Sequence, residues 1–308
     1  MPCWTPPFCW RTDLRDSFSS YHPLVNLLFF VEVLGFAMFL LHPLCLVISL
    51  LCALAYDLYL NGKQALGLCL KGILPMLVFT ALLNPIFNHE GATILTYLPS
   101  GNPLTLESIL YGFAAAAMLA AVVLWFACFS AVITSDKFVY LFGRIIPALS
   151  LVLSMTLRFV PRFLQQLKVV TRAQKCIGKD PSRGSLLHRI RCAGGILSTM
   201  ISWALENGID TADSMKSRGY GLPGRSAFSI YRFDRRDKQT LALLLTLGAA
   251  VLAGAAFDGL TWRYFPTIRW STTPVSMLTL CTYLALCAVP MILNRKEDRK
   301  WNALRSKI

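Results

Sequence analysis

The stretch Asp210-Thr-Ala-Asp-Ser-Met-Lys-Ser-Arg-Gly-Tyr-Gly221 closes a long amphipathic segment within the one large polar region of this chain. Glycine directly after a helical pattern, with proline a few residues beyond, signals that a helix ends. We therefore predict a helix whose last turn presents Ser217-Arg218-Gly219. Arg218 offers five donors in a planar, permanently charged fork, which suits carboxylates or helix-terminal carbonyls of a partner protein. The alternative is an arginine stabilised only by the dipole of its own helix.

The composition of the whole chain is typical of a membrane protein. Hydrophobic residues make up 55% of the 308 residues, charged residues make up 15%, and the mean hydropathy is +0.54. Soluble domains carry roughly a quarter charged residues, and the apolar blocks here approach the roughly 20 residues that a helix needs to cross a bilayer. We expect an all-α polytopic protein in the lipid bilayer, with about six transmembrane helices and long cytoplasmic helices.

The apolar blocks divide the chain into five segments. Residues 24–133 are predicted to hold transmembrane helices 1–4, and residues 240–293 to hold helices 5 and 6. Residues 1–23 form the N-terminus, residues 134–239 the long polar region, and residues 294–308 a basic tail.

Prolines and polar runs set the limits of individual helices. His42-Pro43 predicts a tight turn between the first two, because proline disfavours helix at the residue before it. The third helix is expected from about Gly72 to Phe87, and residues 88–104 are expected to form a polar loop.

The distribution of positive charge predicts the orientation. Residues 134–239 hold 18 of the 30 lysines and arginines, and the tail holds six more. Cytoplasmic termini leave only Arg263 and Arg269 outside, which agrees with the positive-inside rule. We therefore expect both termini and residues 134–239 in the cytoplasm. The net charge of +14 is then explained by membrane flanks, and no nucleic-acid partner is expected.

Two amphipathic helices are predicted within residues 134–239, an interfacial and cytoplasmic region. Apolar residues at helical spacing mark one stripe in the first helix: Leu153, Leu157, Val160, Leu164 and Leu167. A second stripe follows in a helix from about Leu186 to Arg218: Leu197, Ile201, Leu205, Ile209 and Ala212. The first helix should end near Gly178. The pair is either a lever or two helices that simply pack beneath the membrane.

Two acidic residues lie inside apolar blocks. Glu32 falls within the first predicted transmembrane helix and Asp57 near the end of the second. Ionisable residues at membrane depth often mark ion or proton pathways. The alternative is a packed, hydrogen-bonded carboxylate, or, for Asp57, one that reaches the interface.

Sequence signals for bound nucleotide or metal are weak. The chain has no GxxxxGK[ST] pattern, so any ATP must be bound by a partner. Gly219, Gly221 and Gly224 spell GxGxxG, but a dinucleotide site needs that pattern after a strand and before a helix. Here it follows a helix, which favours helix termination. The four histidines are dispersed and no CxxC occurs, so we expect no metal site, no catalytic residues and no cofactor.

The chain resembles the transmembrane (T) component of energy-coupling factor (ECF) transporters, the EcfT/CbiQ family. The resemblance is carried by His42-Pro43, by Leu157-Arg-Phe-Val-Pro161 leading to Arg172-Ala-Gln-Lys-Cys-Ile-Gly178, and by the stretch from Asp210 to Gly219. It implies a non-catalytic subunit in a prokaryotic cell membrane that serves vitamin or metal-ion uptake. The implied partners are two ECF ATPase subunits, which bind the ATP, and one small substrate-binding membrane (S) subunit.

In that family, two coupling helices each end in an Ala-Arg-Gly-like motif, and each arginine docks in a groove of one ATPase subunit. The resemblance places Ser217-Arg218-Gly219 at the second motif. Cys176-Ile177-Gly178 occupies the first and lacks the arginine. Lys175 or Lys179 could supply a charge there, or the end could use an apolar pocket.

Two other classes of function are compatible with the sequence. An ion-coupled secondary transporter or channel would use Glu32 and Asp57 and would need no ATPase. A membrane scaffold would bind partners without ATP-dependent uptake.

Overall fold

The computed structural model describes residues 16–88, 90–97, 103–143, 147–180, 185–220, 231–257, 260, 262–265, 269–270 and 273–305. For residues 143, 147–151, 269 and 270 it describes the backbone only. Residues 1–15 of the predicted N-terminus, Gly221 and Gly224 of the glycine pattern, and the last three residues of the tail lie outside this part.

The described backbone is predominantly helical. Ten α-helices follow one another: α1 (Pro23–Phe39), α2 (Pro43–Asn61), α3 (Lys63–Leu68), α4 (Leu74–Phe87), α5 (Leu106–Val132), α6 (Ser135–Gly143), α7 (Pro147–Cys176), α8 (Leu186–Ser217), α9 (Arg235–Ala256) and α10 (Pro274–Arg305). A short 3-10 helix, Phe18–Ser20, precedes α1. By contact, the chain divides into two compact units, Met1–Thr134 with Tyr231–Ile308, and Ser135–Ile230.

The protein is an all-α, multi-pass membrane protein. Five helical segments are long and apolar enough to cross a bilayer: Pro43–Asn61, Lys63–Phe87, Leu106–Val132, Arg235–Ala256 and Pro274–Arg305. The apolar helix α1, with 17 residues, is shorter. Together they account for the six apolar blocks of the sequence.

Two details differ from the sequence-based expectations, and a third feature was not predicted. The third apolar helix begins at Lys63 rather than near Gly72, because a π-helical turn, Cys69–Ile73, joins α3 to α4 without a break. Within residues 88–104, strand β1 (Ile94–Tyr97) pairs antiparallel with β2 (Pro103–Thr105) instead of forming an irregular loop. Strands β3 (Trp262–Arg263) and β4 (Arg269–Trp270) pair in the same way between the last two helices.

The core of the first unit forms around aromatic side chains of α1, α2 and α5. Trp125 is fully buried and donates its indole N–H to the Ser49 hydroxyl at 2.9 Å. The rings of Phe29 and Phe30 meet Trp125 edge-on. Buried indoles usually find an acceptor, so this contact fixes the mutual position of α2 and α5.

A buried polar network holds the segment before α1 against the bundle. Asn294 of α10 donates its amide to the Asp16 carboxylate and accepts the backbone N–H of Phe18 at 2.9 Å. The Tyr56 hydroxyl donates to the other Asp16 oxygen at 3.0 Å. Burial raises the pKa of Asp16 above its ordinary value, and the hydrogen bonds from Asn294 and Tyr56 oppose that increase. Residues 16–22 are therefore part of the packed unit.

The second unit contains α6, α7 and α8. A small apolar cluster joins α7 to α8: Val170 packs with Ile196 and Met200. Trp203 stacks on Phe159 with ring centroids 5.6 Å apart. Leu167 of the stripe predicted on α7 packs against this cluster. The stripe predicted on α8 takes no part in it.

The contact between Gly254 of α9 and Thr279 of α10 allows the packing of these two helices to be tested. A Cβ atom built on Gly254 would overlap the Thr279 methyl group and lie 2.9 Å from Thr279 Cβ. Overpacking of this kind destabilises a core by about 1–3 kcal/mol. We expect Gly254→Ala to lower the thermal unfolding midpoint in detergent, measured by fluorescence. Gly35→Ala is the matched control, because a Cβ at Gly35 meets no atom within 4 Å. Equal midpoints for the two variants would contradict this packing.

Candidate coupling site at the ends of two long helices

The end of α7 is closed by a defined set of backbone hydrogen bonds. The Lys179 N–H donates to the Gln174 carbonyl at 3.0 Å, and the Gly178 N–H donates to the Lys175 carbonyl at 3.1 Å. Gly178 has φ +81°, in the left-handed region. This is the Schellman motif, which satisfies carbonyls that a helix end would leave without donors.

The end of α8 has the same arrangement. The Tyr220 N–H donates to the Met215 carbonyl at 3.0 Å, and the Gly219 N–H donates to the Lys216 carbonyl at 3.0 Å. Gly219 has φ +76°. Arg218 is the C-cap residue, with φ −84° and ψ 9°.

The two ends therefore correspond residue by residue. Ser217 corresponds to Cys176, Arg218 to Ile177, and Gly219 to Gly178. The family resemblance implies that Cys176-Ile177-Gly178 is the degenerate first motif, and its backbone has the geometry of Ser217-Arg218-Gly219. Because both glycines have positive φ, any other residue at these positions would be strained.

The side chains at the two C-cap positions differ in chemistry. Ile177 is 70% exposed, an unusual degree for a branched apolar side chain. Arg218 is also exposed. Within the described residues, the Arg218 guanidinium forms no ion pair and no hydrogen bond. One end thus presents an apolar side chain and the other a cation.

The charges beside the two ends differ as well. Lys175 forms an ion pair with Asp180 across the end of α7, with Nζ 3.5 Å from Oδ1. Lys216, at the corresponding position of α8, has no such partner in the part of the chain described. The ion pair is exposed and contributes little stability, but it partly offsets the charge beside Ile177. The sequence analysis did not identify this pair, and the spacing of Lys175 and Asp180 was its only signal.

The apolar stripe predicted on α8 lies on its exposed side. Leu197, Ile201, Leu205 and Ile209 are each more than half exposed within the unit. The buried row of α8 is the adjacent one, containing Cys192, Ile196 and Met200. On α7, Val160 and Leu164 are likewise exposed.

The two intramembrane carboxylates have different surroundings. Glu32 of α1 lies against Gly248 of α9, and its Oε2 atom is buried without a hydrogen-bond partner. Asp57 of α2 is fully buried, and its Oδ1 accepts the Asn61 amide at 2.7 Å. Its Oδ2 atom has no partner. No described hydrogen bond joins these two side chains into one relay.

The described residues contain no group of three or more His, Cys, Asp or Glu side chains that could hold a metal ion. Neither helix end carries a pair of groups arranged for acid, base or nucleophilic chemistry. The arrangement at these ends suits binding to another protein.

A family model described as "CbiQ: Cobalt transport protein" matches residues 16–230. That range includes both helix ends and excludes α9 and α10.

Relatives named "Energy-coupling factor transporter transmembrane protein EcfT" also match. The chain is 32% identical to that of Lactobacillus helveticus over 105 residues, which is 34% of this chain and 38% of the relative. It is 30% identical to that of Bacillus selenitireducens over 112 residues, 36% of this chain and 42% of the relative. It is 28% identical to that of Listeria innocua over 222 residues, 66% and 80% of the two chains. The first two matches span about two fifths of those relatives.

The glycine at the end of α8 can be tested without any partner. We expect Gly219→Ala to weaken the cap by about 1 kcal/mol, because alanine is strained at positive φ. Hydrogen exchange at the Tyr220 amide should accelerate accordingly. Gly208→Ala, in the helical interior with open space around it, should leave that amide unchanged or better protected. Unchanged exchange in Gly219→Ala would contradict the cap.

Proposed function

Because the chain belongs to the CbiQ family, we propose that it is the transmembrane coupling subunit of an energy-coupling factor importer. The observation that carries the proposal is the pair of matched helix ends. Each of α7 and α8 is closed by a glycine in the same backbone geometry and exposes its C-cap side chain. A closed end of this kind can enter a groove on a partner with two of its terminal carbonyls already paired.

The subunit needs no covalent chemistry for this role. Two ATPase subunits bind and hydrolyse ATP, and their movement is transmitted through the docked ends into α7 and α8. Arg218 can form charge-assisted, bidentate bonds to a carboxylate of the ATPase. Gly219, with its positive φ, directs the chain away from Arg218, and its lack of a side chain leaves the helix end narrow.

The exposed apolar row of α8 supports a second contact, with the small substrate-binding membrane subunit. Contiguous exposed apolar residues usually mark an interface with a protein or with lipid. Leu197, Ile201, Leu205 and Ile209 form such a row over three turns of the helix. We assign this row to the S subunit, which selects the cargo, a vitamin or a metal ion.

We expect Arg218→Glu to release the ATPase subunits. Reversing the charge in a desolvated ion pair leaves like charges opposed, and the retained ATPase should fall by roughly tenfold or more. The measurement is co-purification of the ATPases and the S subunit with the tagged chain in detergent. Arg218→Lys should lose less, and the S subunit should be retained throughout.

The matched control for this experiment is Arg191→Glu, the same charge reversal at an exposed position of α8, about 40 Å from Arg218 along the helix. Full retention of both ATPases by Arg218→Glu would contradict the docking role. A wild-type chain that retains no ATPase and takes up cargo with an ion gradient would overturn the coupling function and favour a carrier that uses Glu32 and Asp57.

Docking also requires both helix ends to lie on the cytoplasmic side of the membrane, because ATP is in the cytoplasm. The distribution of positive charge supports a cytoplasmic location for both termini and residues 134–239. Alkaline phosphatase, active only outside the cytoplasm, should be inactive when joined after Ile308 and active when inserted after Phe265. The reverse pattern would place the coupling ends on the wrong side of the membrane.

A further inference from the structure

We propose that the outward face of the α9–α10 pair binds an anionic phospholipid, whose phosphate groups are held by four exposed cations: Arg235, Lys238, Lys296 and Arg299. The proposal goes beyond the coupling function and does not rest on it. It follows from one juxtaposition, namely that these cations lie directly beyond the exposed apolar faces of two neighbouring membrane helices.

Two contacts, one near each end, fix the register of α9 against α10. Gly254 of α9 lies against Thr279 of α10. At the other end, Arg236 of α9 forms an ion pair with Glu297 of α10, with Nη1 3.8 Å from Oε1. The same number of residues separates the two contacts in each helix, so the antiparallel helices run level with each other. Residues from both helices therefore meet at the same depth at this end of the pair.

The four cations lie at two depths. Lys238 and Lys296 each stand three residues beyond the nearest leucine of the apolar run in their own helix, which is about 4.5 Å along the axis. Arg235 and Arg299 lie three residues farther out in each helix. The headgroup region adds about 5–7 Å to each side of the hydrocarbon core, so both levels fall within reach of lipid phosphates.

The cations continue the outward apolar faces of their helices. On α9, Lys238 shares a face with Leu245 and Leu252, at spacings of seven residues. On α10, Ile292 lies one turn before Lys296 on the same face. The three apolar side chains are each more than half exposed. The surface is therefore apolar along the membrane span and positive at its end.

The acidic side chains of α9, α10 and the segment before α1 do not neutralise these cations. Each described one at this depth has a partner within the bundle: Asp16, Asp234, Asp237, Glu297 and Asp298. Glu297 pairs with Arg236 and Lys300, and Asp298 accepts the Tyr59 hydroxyl at 3.4 Å. Asp234 and Asp237 form the capping box of α9. The four proposed phosphate ligands form no ion pair within the described residues.

A phospholipid matches this surface in both of its parts. Its acyl chains cover the exposed apolar side chains, and its phosphate accepts charge-assisted hydrogen bonds from lysine and arginine. Basic clusters between membrane helices on the cytoplasmic side bind anionic headgroups in this way. Cardiolipin carries two phosphates, which suits cations at two depths on two helices, and it is the probe used below.

The first measurement is lipid binding to the full chain in detergent by native mass spectrometry. Cardiolipin and zwitterionic phosphatidylcholine are titrated separately. We expect cardiolipin to bind at a roughly tenfold lower concentration, because each cation near an anionic lipid strengthens binding by about fivefold. Equal binding of the two lipids would show that only the apolar faces are recognised, and it would overturn the proposal.

A pair of double variants tests the residues. Lys238→Gln with Lys296→Gln removes one cation from each helix, and cardiolipin binding should weaken by roughly tenfold or more. Lys63→Gln with Lys71→Gln removes the same charge from two exposed lysines elsewhere in the first unit, and it should retain the lipid. Both variants should keep the wild-type unfolding midpoint without added lipid, which separates loss of binding from loss of fold. Equal cardiolipin binding by the two variants would contradict the assigned site.

Two further arms identify the occupant. Excess inorganic phosphate, at constant ionic strength, should leave the bound cardiolipin in place. Release by phosphate would show a site for a soluble anion and not for a lipid. The chain assembled with an S subunit should also retain cardiolipin. Displacement of the lipid on assembly would assign this face to the protein partner, and either result would overturn the proposal.

Discussion

Every backbone N–H and C=O of this chain has to be hydrogen-bonded where water is absent, and that constraint governs both units. Across a bilayer only a continuous helix satisfies it locally, which is why the apolar blocks become unbroken helices. The π-helical turn at Cys69–Ile73 follows the same requirement, since it changes the spacing of the bonds without opening the helix. At the ends of α7 and α8 the glycine caps pair two of the carbonyls that the helix leaves without donors. The protein can therefore present a bare helix end to a partner.

Within the first unit, small residues and polar side chains add to the packing of the large aromatic side chains. Gly254 allows α9 to approach Thr279 of α10 more closely than any side chain would permit. Close approach of this kind is a main source of packing between helices in membranes, where lipid is as apolar as leucine. Asn294 and Asp16 add directional contacts between segments 278 positions apart in sequence. Such contacts specify one arrangement, because an unpaired amide or carboxylate in the same place is unfavourable.

The sequence predicted most of this architecture where the signal was local. The apolar helices, the end of α7 near Gly178 and the end of α8 at Arg218 follow from hydrophobic length and from glycine after a helical pattern. The predicted start of the third helix was wrong, because Lys71 directly precedes an apolar run and so resembles a boundary, although it lies within the helical segment Lys63–Phe87. The β1–β2 pairing and the Asp16 network depend on residues distant in sequence and had no local signal. The helical periodicity identified the apolar stripe on α8 but not whether the stripe is buried or exposed. The same pattern marks a face that packs in the core and a face that binds a partner.

The packing of α7 on α8 leaves the C-terminal turns of both helices beyond the contact between them. The apolar cluster ends at Val170 on α7 and at Trp203 on α8. Beyond these contacts α7 continues to Cys176, about 9 Å further, while α8 continues to Ser217, about 20 Å further. No residue of α8 beyond Trp203 is buried in the part of the chain described, so its last four turns form the longer arm. Backbone hydrogen bonds keep a helix rigid as long as its last turn remains intact. Gly178 and Gly219 give the last turns of α7 and α8 the same pair of cap hydrogen bonds. The two ends therefore share one backbone geometry and differ in the exposed C-cap side chain, Ile177 on α7 and Arg218 on α8.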